Sequence, residues 1–412
     1  MGTDTQFDFV ENGSVTSPLG FLACGVIAGL KKNKAPDLAM IESETECSFA
    51  ATFTSNLFPA APVQYDREIC ANSPKIRAVV ANSGVANACT GLDGYNNAKR
   101  MAELTAGALS VPVGQVMIAS TGRIGVQLPM DLIENGIREA AKSLTHNGGS
   151  SAAHAIMTTD TEPKEVAVQI EIGGKTVTIG SMCKGSGMIH PNMATMLVFI
   201  TTDAAISSEM LQKAVSTDVQ NTFNMISVDG DTSTNDMVTV LANGLAGNAE
   251  ITAEGEDFTA FMQALNTVTV YLCRCIAGDG EGATKLLECK VSGAETLDIA
   301  KTVAKSVICS SLTKAAMFGA DANWGRVLCA IGYSGADVDV NKIDVSFKSK
   351  SGEILVCQNG AGVDFSEEKA KEILLNDEIE ILIDLKSGSD FAVARGCDLT
   401  YDYVKINGDY RA

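Results

Sequence analysis

Histidine, the usual general base of enzymes, is scarce in this sequence: its 412 residues include three, His146, His154 and His190. The chain also lacks a G-x-S-x-G nucleophile elbow, an H-E-x-x-H zinc motif and a dinucleotide-binding glycine motif in the right context. The run Lys184-Gly-Ser-Gly is not a phosphate-binding P-loop, because its lysine precedes the glycines. An enzyme built from this chain therefore needs another kind of base, or relies on one of these three histidines.

Positive charge is also scarce, with 31 lysines and arginines against 50 aspartates and glutamates and a net charge of −19. Nucleic acids and anionic membranes are bound by basic surfaces, so we expect neither as a partner. No apolar run reaches ~18 residues, the length that spans a bilayer. Residues 1–11 carry Asp4, Asp8 and Glu11 and no apolar segment, which predicts no signal peptide. We therefore expect a cytoplasmic protein.

The twelve cysteines form no disulfide framework, and Cys273 and Cys275 lack the spacing of a zinc knuckle. Most of the others lie in apolar runs, so we predict reduced cysteines in the core. Asp229, Asp231 and Asp236 do not fit a calcium-binding loop, because Gly230 is the second residue of that run and not the sixth. We interpret them as a polar structural loop near the site, and we expect no metal.

Apolar patterns alternate between strand and helix spacing along the chain, which indicates an α/β body with a second, smaller lobe. A hairpin with a Gly173-Gly174 turn is predicted over residues 166–179. The first two strands are expected to end at the polar loops Asn82-Ser83-Gly84 and Ser120-Thr121-Gly122. Besides the hairpin, the predicted strands are 78–80 and 116–119, which are these first two, and then 196–200, 343–347 and 379–385. The predicted helices are 95–109, 131–144, 207–215, 258–265, 294–307 and 367–375.

Thr195 follows the small residue Ala194 at the start of the apolar run 196–200. A threonine at a chain N-terminus is nucleophile and base together, because its α-amine, with a pKa near ~8, can take the proton from its own hydroxyl. Before cleavage the same hydroxyl can attack the preceding carbonyl, and Gly185 and Gly187 allow the tight turn that this step needs. Alanine–threonine before a strand is also common, and spacing alone favours a half-buried strand residue.

The segment 184–197, Lys-Gly-Ser-Gly-Met-Ile-His-Pro-Asn-Met-Ala-Thr-Met-Leu, resembles the self-cleaving segment of the ornithine acetyltransferase / glutamate N-acetyltransferase family of arginine biosynthesis. Further blocks resemble family motifs, occur in family order and span essentially the whole chain. They are residues 60–63, 87–91, 120–122, 156–161, 228–236, 281–285, 321–326 and 398–403. Each block is a modest signal, and together they are specific.

The resemblance implies that the chain cuts itself between Ala194 and Thr195, giving an α chain of residues 1–194 and a β chain of residues 195–412. Thr195 would then carry the acetyl group from N2-acetylornithine to glutamate, with ornithine and N-acetylglutamate as products. The implied fold is a layered αββα sandwich of the self-cleaving ornithine acetyltransferase/aminopeptidase type, with a smaller lobe at about 290–390. The resemblance also implies no cofactor, acetyl-CoA as a co-substrate of some members, and a heterotetramer of two α and two β chains.

Family positions carry over to individual residues of this chain. Thr121 and Gly122 match the pair that stabilises the oxyanion, which suits the turn at the end of a strand. The matches to substrate-binding positions are Thr158, Lys184, Thr195, Glu281, Asn407 and Ala412. A lysine suits the carboxylate of an amino acid, and a glutamate suits its amino group.

Five residues depart from the family pattern: Leu22, Val85, Arg123, His190 and Ala412. Arg123 stands where an apolar residue is usual, and Ala412 stands where a threonine or serine commonly contacts the substrate. These two bear on which amino acid is accepted. They do not bear on the class of reaction.

Three alternatives remain open at this point. An aminopeptidase or amidohydrolase could use the same kind of N-terminal nucleophile with water as acceptor, a paralogue could acetylate a different amino acid, and an uncut chain could be a binding or structural protein. Because Lys184, Glu281 and Asn407 suit an amino-acid substrate, they favour the transferase.

Overall fold

The structure is a computed structural model that describes residues 7–190 and 196–409. The strands in these ranges are β1 (Asp8–Phe9), β2 (Phe21–Val26), β3 (Leu38–Phe53), β4 (Ile76–Val85), β5 (Val116–Arg123), β6 (Lys164–Ile172), β7 (Lys175–Lys184), β8 (Leu197–Thr202), β9 (Ile226–Ser227), β10 (Met237–Ala242), β11 (Leu286–Ala294), β12 (Asp344–Ser349), β13 (Gly352–Gln358), β14 (Ala361–Gly362), β15 (Glu378–Asp384) and β16 (Asp390–Cys397). The helices are α1 (Ala61–Asn72), α2 (Gly91–Leu109), α3 (Met130–Ser143), α4 (Gly149–Ile156), α5 (Ser208–Val219), α6 (Glu256–Gly278), α7 (Leu297–Cys309), α8 (Ser311–Phe318), α9 (Trp324–Gly332), α10 (Glu367–Leu374) and α11 (Tyr401–Asp409).

The long strand β3 joins two β layers. Its first half pairs with β2 and β4, and its second half pairs with β10, with a register shift between Glu42 and Cys47. One layer runs in the order β1-β6-β7-β8-β10-β3, and the other contains β2, β3, β4 and β5. Helices α5 and α6 pack on the first layer, and α1, α2 and α3 pack on the second.

Alternate residues of β8 belong to different cores, as the twofold period of a strand requires. Leu197 and Phe199 join the core between the two layers, and Val198 and Ile200 join the core that α5 and α6 cover. The whole of β8 is buried, in agreement with the continuous apolar run. The predicted layered αββα architecture is confirmed.

A second sheet has the order β14-β13-β12-β15-β11-β16-β9. Helix α7 packs on β11 and β16, and α10 packs on β12 and β13, which encloses a separate apolar core. Most of this sheet falls within the predicted smaller lobe at about 290–390. Strand β11 begins before residue 290, β16 ends after residue 390, and β9 lies outside the predicted lobe altogether. The division into chains 1–194 and 195–412 stays a prediction, because Ala194 and Thr195 lie outside the described residues.

Local sequence explains several element boundaries. Gly173 and Gly174 have φ values of 57° and 73°, which is the left-handed pair that a two-residue hairpin turn between β6 and β7 needs. The Ser207 hydroxyl accepts a hydrogen bond from the Met210 amide and so begins α5. Thr296 does the same for α7, which therefore begins at Leu297, three residues later than predicted. Ala294, which was predicted to be helical, is the last residue of β11.

Other predicted elements are too short. The polar runs expected as loops, Asn82-Ser83-Gly84 and Ser120-Thr121-Gly122, belong to β4 and β5, because the two parallel strands remain paired to their ends. Helix α6 continues well past the predicted residue 265, and Val268, Leu272 and Ile276 extend its buried face. The helices predicted over 95–109, 131–144 and 367–375 are confirmed within a few residues.

All twelve cysteines are unpaired, and seven of them are buried. Cys273 belongs to the core under α6, whereas Cys89 and Cys329 are exposed. No helix within residues 7–190 and 196–409 is both long enough and apolar enough to cross a bilayer.

Candidate functional site

A cavity of about 320 Å³ opens at the ends of β5, β7 and β8. Six of the residues that sequence analysis assigned to the site line this cavity, and they come from five separate parts of the chain. These are Thr121, Gly122, Thr158, Lys184, Glu281 and Asn407. Met196, the residue joined to Thr195, also lines it. Ala194, Thr195 and Ala412 lie outside the described residues.

Thr121 and Gly122 lie near the end of β5, where the parallel strand β4 comes very close. A side chain at Gly122 would lie 2.3 Å from the carbonyl carbon of Gly84, and its φ of 128° also favours glycine. Asn235 fixes the same strand ends, because its amide donates hydrogen bonds of 2.6 Å to the Ala86 carbonyl and 2.8 Å to the Ser120 carbonyl. The backbone at Thr121 and Gly122 is therefore held rigidly at the cavity, and a fixed backbone is what oxyanion stabilisation requires.

A buried ion network supports the Thr158 and Lys184 side of the cavity. The Lys164 amine lies 2.8 Å from Asp160 and 2.5 Å from Asp279, and its side chain is 2% exposed. Asp160 also accepts hydrogen bonds from the backbone amides of Thr158, at 3.0 Å, and Gly185, at 2.6 Å. This carboxylate consequently ties the loop after α4 to the end of β7.

The charge state of Asp160 follows from its neighbours. Burial by itself raises the pKa of this carboxyl, but the positive charges of Lys184 and Lys164 hold it below its usual range. Asp160 is therefore ionised at neutral pH. Lys184 is 7% exposed, and no hydrogen bond or ion pair among the described residues uses its amine, which leaves a buried cation facing the cavity.

Glu281 is positioned by both its backbone and its side chain. Its backbone amide donates to the Ser186 carbonyl at 3.0 Å, and its carboxylate accepts a 2.7 Å hydrogen bond from the Asn407 side chain. Gly187 leaves room for this carboxylate, since an added Cβ would lie 2.4 Å from it. Asn407 brings α11 to the cavity, so the end of the described chain forms part of the wall.

The segment before residue 191 is anchored on the loop that leads into β10. Asp229 accepts hydrogen bonds from the amides of Met188, at 2.7 Å, and Ile189, at 2.9 Å. The Thr232 hydroxyl donates to the His190 carbonyl at 2.7 Å. Met188 and Met196, which lie on either side of the range 191–195 in the sequence, both line the cavity.

The family model of ArgJ matches residues 22–412. The chain belongs to the ArgJ family. The arginine biosynthesis bifunctional protein ArgJ 1 of Clostridium acetobutylicum is 51% identical, over 98% of this chain and 98% of its own length. The corresponding protein of Caldanaerobacter subterraneus is 52% identical, over 98% of this chain and 99% of its own. An ornithine acetyltransferase from Mycobacterium tuberculosis, solved in complex with ornithine, is 38% identical, covers 47% of this chain and 100% of its own, and has a TM-score of 0.43.

The resemblance drawn from the sequence motifs is thereby confirmed. Of the five departures from the ArgJ pattern, Arg123 lines the cavity. Val85 is buried and pairs with Arg123 at the end of β4. Burial lowers the pKa of His190 to about 4, and the positive charge of Lys305 lowers it further. Ala412 lies outside the described residues.

Sequence analysis missed two positioning residues, Asp160 and Asn235. Asp160 lies in the block 156–161 and Asn235 in the block 228–236, and both blocks resemble ArgJ family motifs. Their place in these blocks is the signal from which the sequence could have predicted them. Asp236, next to Asn235, lines the cavity, is 3% exposed and has one carboxyl oxygen without a hydrogen-bond partner among the described residues. Burial raises the pKa of Asp236 well above its usual range, which favours the uncharged form of this carboxyl.

The three aspartates of the 229–236 loop serve different purposes. Asp229 accepts hydrogen bonds from the amides of Met188, Ile189 and Asp231, so Asp231 contributes a backbone donor, and Asp236 lines the cavity. Within residues 7–190 and 196–409, no group of three histidine, cysteine, aspartate or glutamate side chains could hold a metal ion.

Proposed function

We propose that this chain is a self-cleaving acetyltransferase of arginine biosynthesis, which moves the acetyl group of N2-acetylornithine to glutamate through an ester on Thr195. The observation that carries the proposal is one cavity lined by Met196 and six residues at family site positions. Membership of the ArgJ family supports the reaction and the substrate pair, since the curated relatives are named arginine biosynthesis bifunctional proteins.

In the cleavage step, the Thr195 hydroxyl oxygen attacks the carbonyl carbon of Ala194. The carbon–nitrogen bond between the two residues breaks, the threonine nitrogen takes the proton, and an ester forms. Water then hydrolyses this ester, leaving a carboxylate on Ala194 and a free amine and hydroxyl on Thr195. The hydrogen bonds that anchor residues 188–190 beside the cavity support this step, and Gly187 allows a tight turn before them.

In the transfer step, the Thr195 α-amine accepts the hydroxyl proton while the oxygen bonds to the acetyl carbonyl carbon of N2-acetylornithine. The Thr121 hydroxyl and the Gly122 amide stabilise the oxyanion. Collapse breaks the carbon–nitrogen bond, and the departing amine of ornithine takes the proton. The glutamate amine then attacks the acetyl ester by the reverse sequence and regenerates the Thr195 hydroxyl.

Charged groups around the cavity bind the ends of the two amino acids. The buried Lys184 amine suits the α-carboxylate that both substrates carry. Glu281, held by Asn407, suits the side-chain ammonium of the ornithine part. Thr158 and Ala412 are the further substrate contacts that the family pattern implies.

The nucleophile, the base and the oxyanion donors all come from the chain, so the reaction requires no cofactor. Acetyl-CoA would act as an alternative acetyl donor. Chains 1–194 and 195–412 would stay together after cleavage, because β8 of the second pairs with β7 of the first and β10 pairs with β3. The expected assembly is two copies of each chain in the cytoplasm.

A denaturing gel with N-terminal sequencing tests this function. Two bands, one of them starting at Thr195, are expected, whereas a single band at 43.1 kDa would refute self-cleavage. Thr195→Ala should give a folded, uncut and inactive chain, and Thr195→Ser should retain slow cleavage because it keeps a hydroxyl. Acetyl release that needs no glutamate would indicate a hydrolase instead.

A further inference from the structure

Asp279 joins three segments of the chain that each contribute to the cavity wall. It directly follows α6 and lies two positions before Glu281. Its carboxylate accepts a 2.5 Å hydrogen bond from the Lys164 amine and two more from Thr161, one from the backbone amide at 3.0 Å and one from the hydroxyl. Its backbone carbonyl accepts a 2.7 Å hydrogen bond from the Ser186 hydroxyl. One residue therefore contacts the loop after α4, the start of β6 and the loop after β7.

The segments that meet at Asp279 are 158–161, 184–187 and 279–281. Each of them carries one residue of the cavity lining at a family substrate-binding position, and these are Thr158, Lys184 and Glu281. The second and third segments are also tied in the opposite direction, because the Glu281 amide donates to the Ser186 carbonyl at 3.0 Å. The spacing between the cation and the anion of the cavity consequently depends on this junction.

Local helix structure does not explain an aspartate at position 279. A carboxylate at the C-terminal end of a helix meets the negative end of the helix dipole, which is unfavourable. The ion pair with Lys164 offsets this effect, and both side chains are shielded from solvent, at 2% exposure for the lysine and 14% for the aspartate. The pair joins a residue of 1–194 to a residue of 195–412, so it does not depend on an intact bond between Ala194 and Thr195.

We propose that Asp279 is a positioning residue that acts through Glu281 and thereby sets the preference for an acetyl donor whose side chain ends in an ammonium group. This inference rests on the transfer reaction proposed above, in which Glu281 binds that ammonium. A hydrogen bond between an ammonium and a carboxylate needs a separation of about 2.7–2.9 Å, so a small displacement of Glu281 weakens it. A donor without the ammonium gains nothing from Glu281 and is insensitive to the displacement.

The test compares two donors in Asp279→Asn: N2-acetylornithine, and N2-acetylnorvaline, which has the same carbon chain without the ammonium. The amide keeps the size of the side chain and removes the charge that pairs with Lys164. We expect kcat/KM for N2-acetylornithine to fall about 10-fold, mainly through KM, and that for N2-acetylnorvaline to fall less than about twofold. The ratio of the two values is independent of the folded fraction, so a loss of stability cannot mimic this result. The control is Glu256→Gln, which removes an exposed carboxylate from the opposite end of α6.

A double variant shows whether Asp279 acts through Glu281. In Glu281→Gln the carboxylate that binds the ammonium is gone, so adding Asp279→Asn should leave the preference between the two donors as it is. A further fall of the preference in the double variant would overturn the assignment. An unchanged preference in Asp279→Asn alone would also overturn it, whether or not the activity falls, because the contacts of Asp279 would then be only structural. Absence of ornithine release by the unmodified enzyme would instead refute the acetyltransferase itself.

Discussion

The Asn407 side chain donates a 2.7 Å hydrogen bond to the Glu281 carboxylate, 126 positions earlier in the chain. Through this contact α11 becomes part of the cavity wall. Sequence reasoning alone would treat residues so near the end of a chain as frayed. We therefore expect the position of α11 to affect substrate binding.

Replacing Asn407 with leucine tests that link. Glu281 loses the hydrogen bond that orients it, and we expect kcat/KM for N2-acetylornithine to fall about 10-fold, since hydrogen bonds to charged groups contribute about 1.5–3 kcal/mol. The free energy of unfolding should change by less than about 0.5 kcal/mol, because Asn407 is exposed. Lys405→Ala on the same helix is the control. Equal activities of the two variants would show that the hydrogen bond is unimportant for binding.

Gly187 offers a second way to displace Glu281. The Cβ of alanine at this position would lie 2.4 Å from the carboxylate, and the clash involves the end of a flexible side chain. Glu281 should therefore move while the fold remains intact, raising KM for N2-acetylornithine at least about 10-fold. Gly107→Ala is the matched control, because nothing lies within 4 Å of the added Cβ and α2 gains helix propensity. Wild-type kinetics in Gly187→Ala would contradict the prediction.

The family resemblance implied both the layered architecture and six of the residues that line the cavity, whereas patterns in the sequence predicted individual strands and turns. The continuous apolar run of β8 and the glycine pair at 173–174 are local signals, and they predict local structure. Lys184 and Glu281 were predicted because they lie in family-like blocks, and Asn407 because it matches a single family position. Nothing in the spacing of the three residues shows that they meet. Asp160 was missed because its importance lies in contacts with Thr158, Lys164 and Gly185, which form only in the fold.

Asp160→Asn is expected to be one of the most destabilising polar substitutions near the site. It leaves the Lys164 ammonium, which is 2% exposed, with one carboxylate where it had two. Breaking a buried ion pair costs about 3–5 kcal/mol, and urea denaturation should show a loss near the lower limit, because Asp279 remains. Glu254→Gln, which breaks the exposed pair with Lys213, should cost less than about 0.5 kcal/mol.

The same carboxylate predicts a dependence on pH. The pKa of Asp160 is held below its usual range in the folded protein, so its contribution is present above the pKa of the unfolded chain and is lost as pH falls through the folded value. The stability difference between wild type and Asp160→Asn should therefore shrink below about pH 4. A difference that stays constant from pH 7 to pH 3 would mean that Asp160 is not ionised in the folded state.

Asp66 gives the opposite dependence. It is fully buried in α1, one of its oxygens accepts a 3.0 Å hydrogen bond from the Ile118 amide, and the other has no partner among the described residues. Burial raises the pKa of Asp66 well above its usual value. The folded state therefore binds a proton that the unfolded state releases, and the resulting stability is present at low pH and declines as pH rises toward the folded pKa.

Asp66→Asn removes this titration and keeps the acceptor for Ile118. Its free energy of unfolding should be close to that of wild type at pH 4 and should exceed it increasingly as pH rises toward the folded pKa of Asp66, with a slope of at most about 1.4 kcal/mol per pH unit. Urea denaturation at several pH values measures the difference, and Asp8→Asn, at an exposed position of β1, is the control and should show no such trend. A difference that does not change with pH would mean that Asp66 is ionised in the fold, in which case its second oxygen would need a partner that offsets the cost of burying the charge.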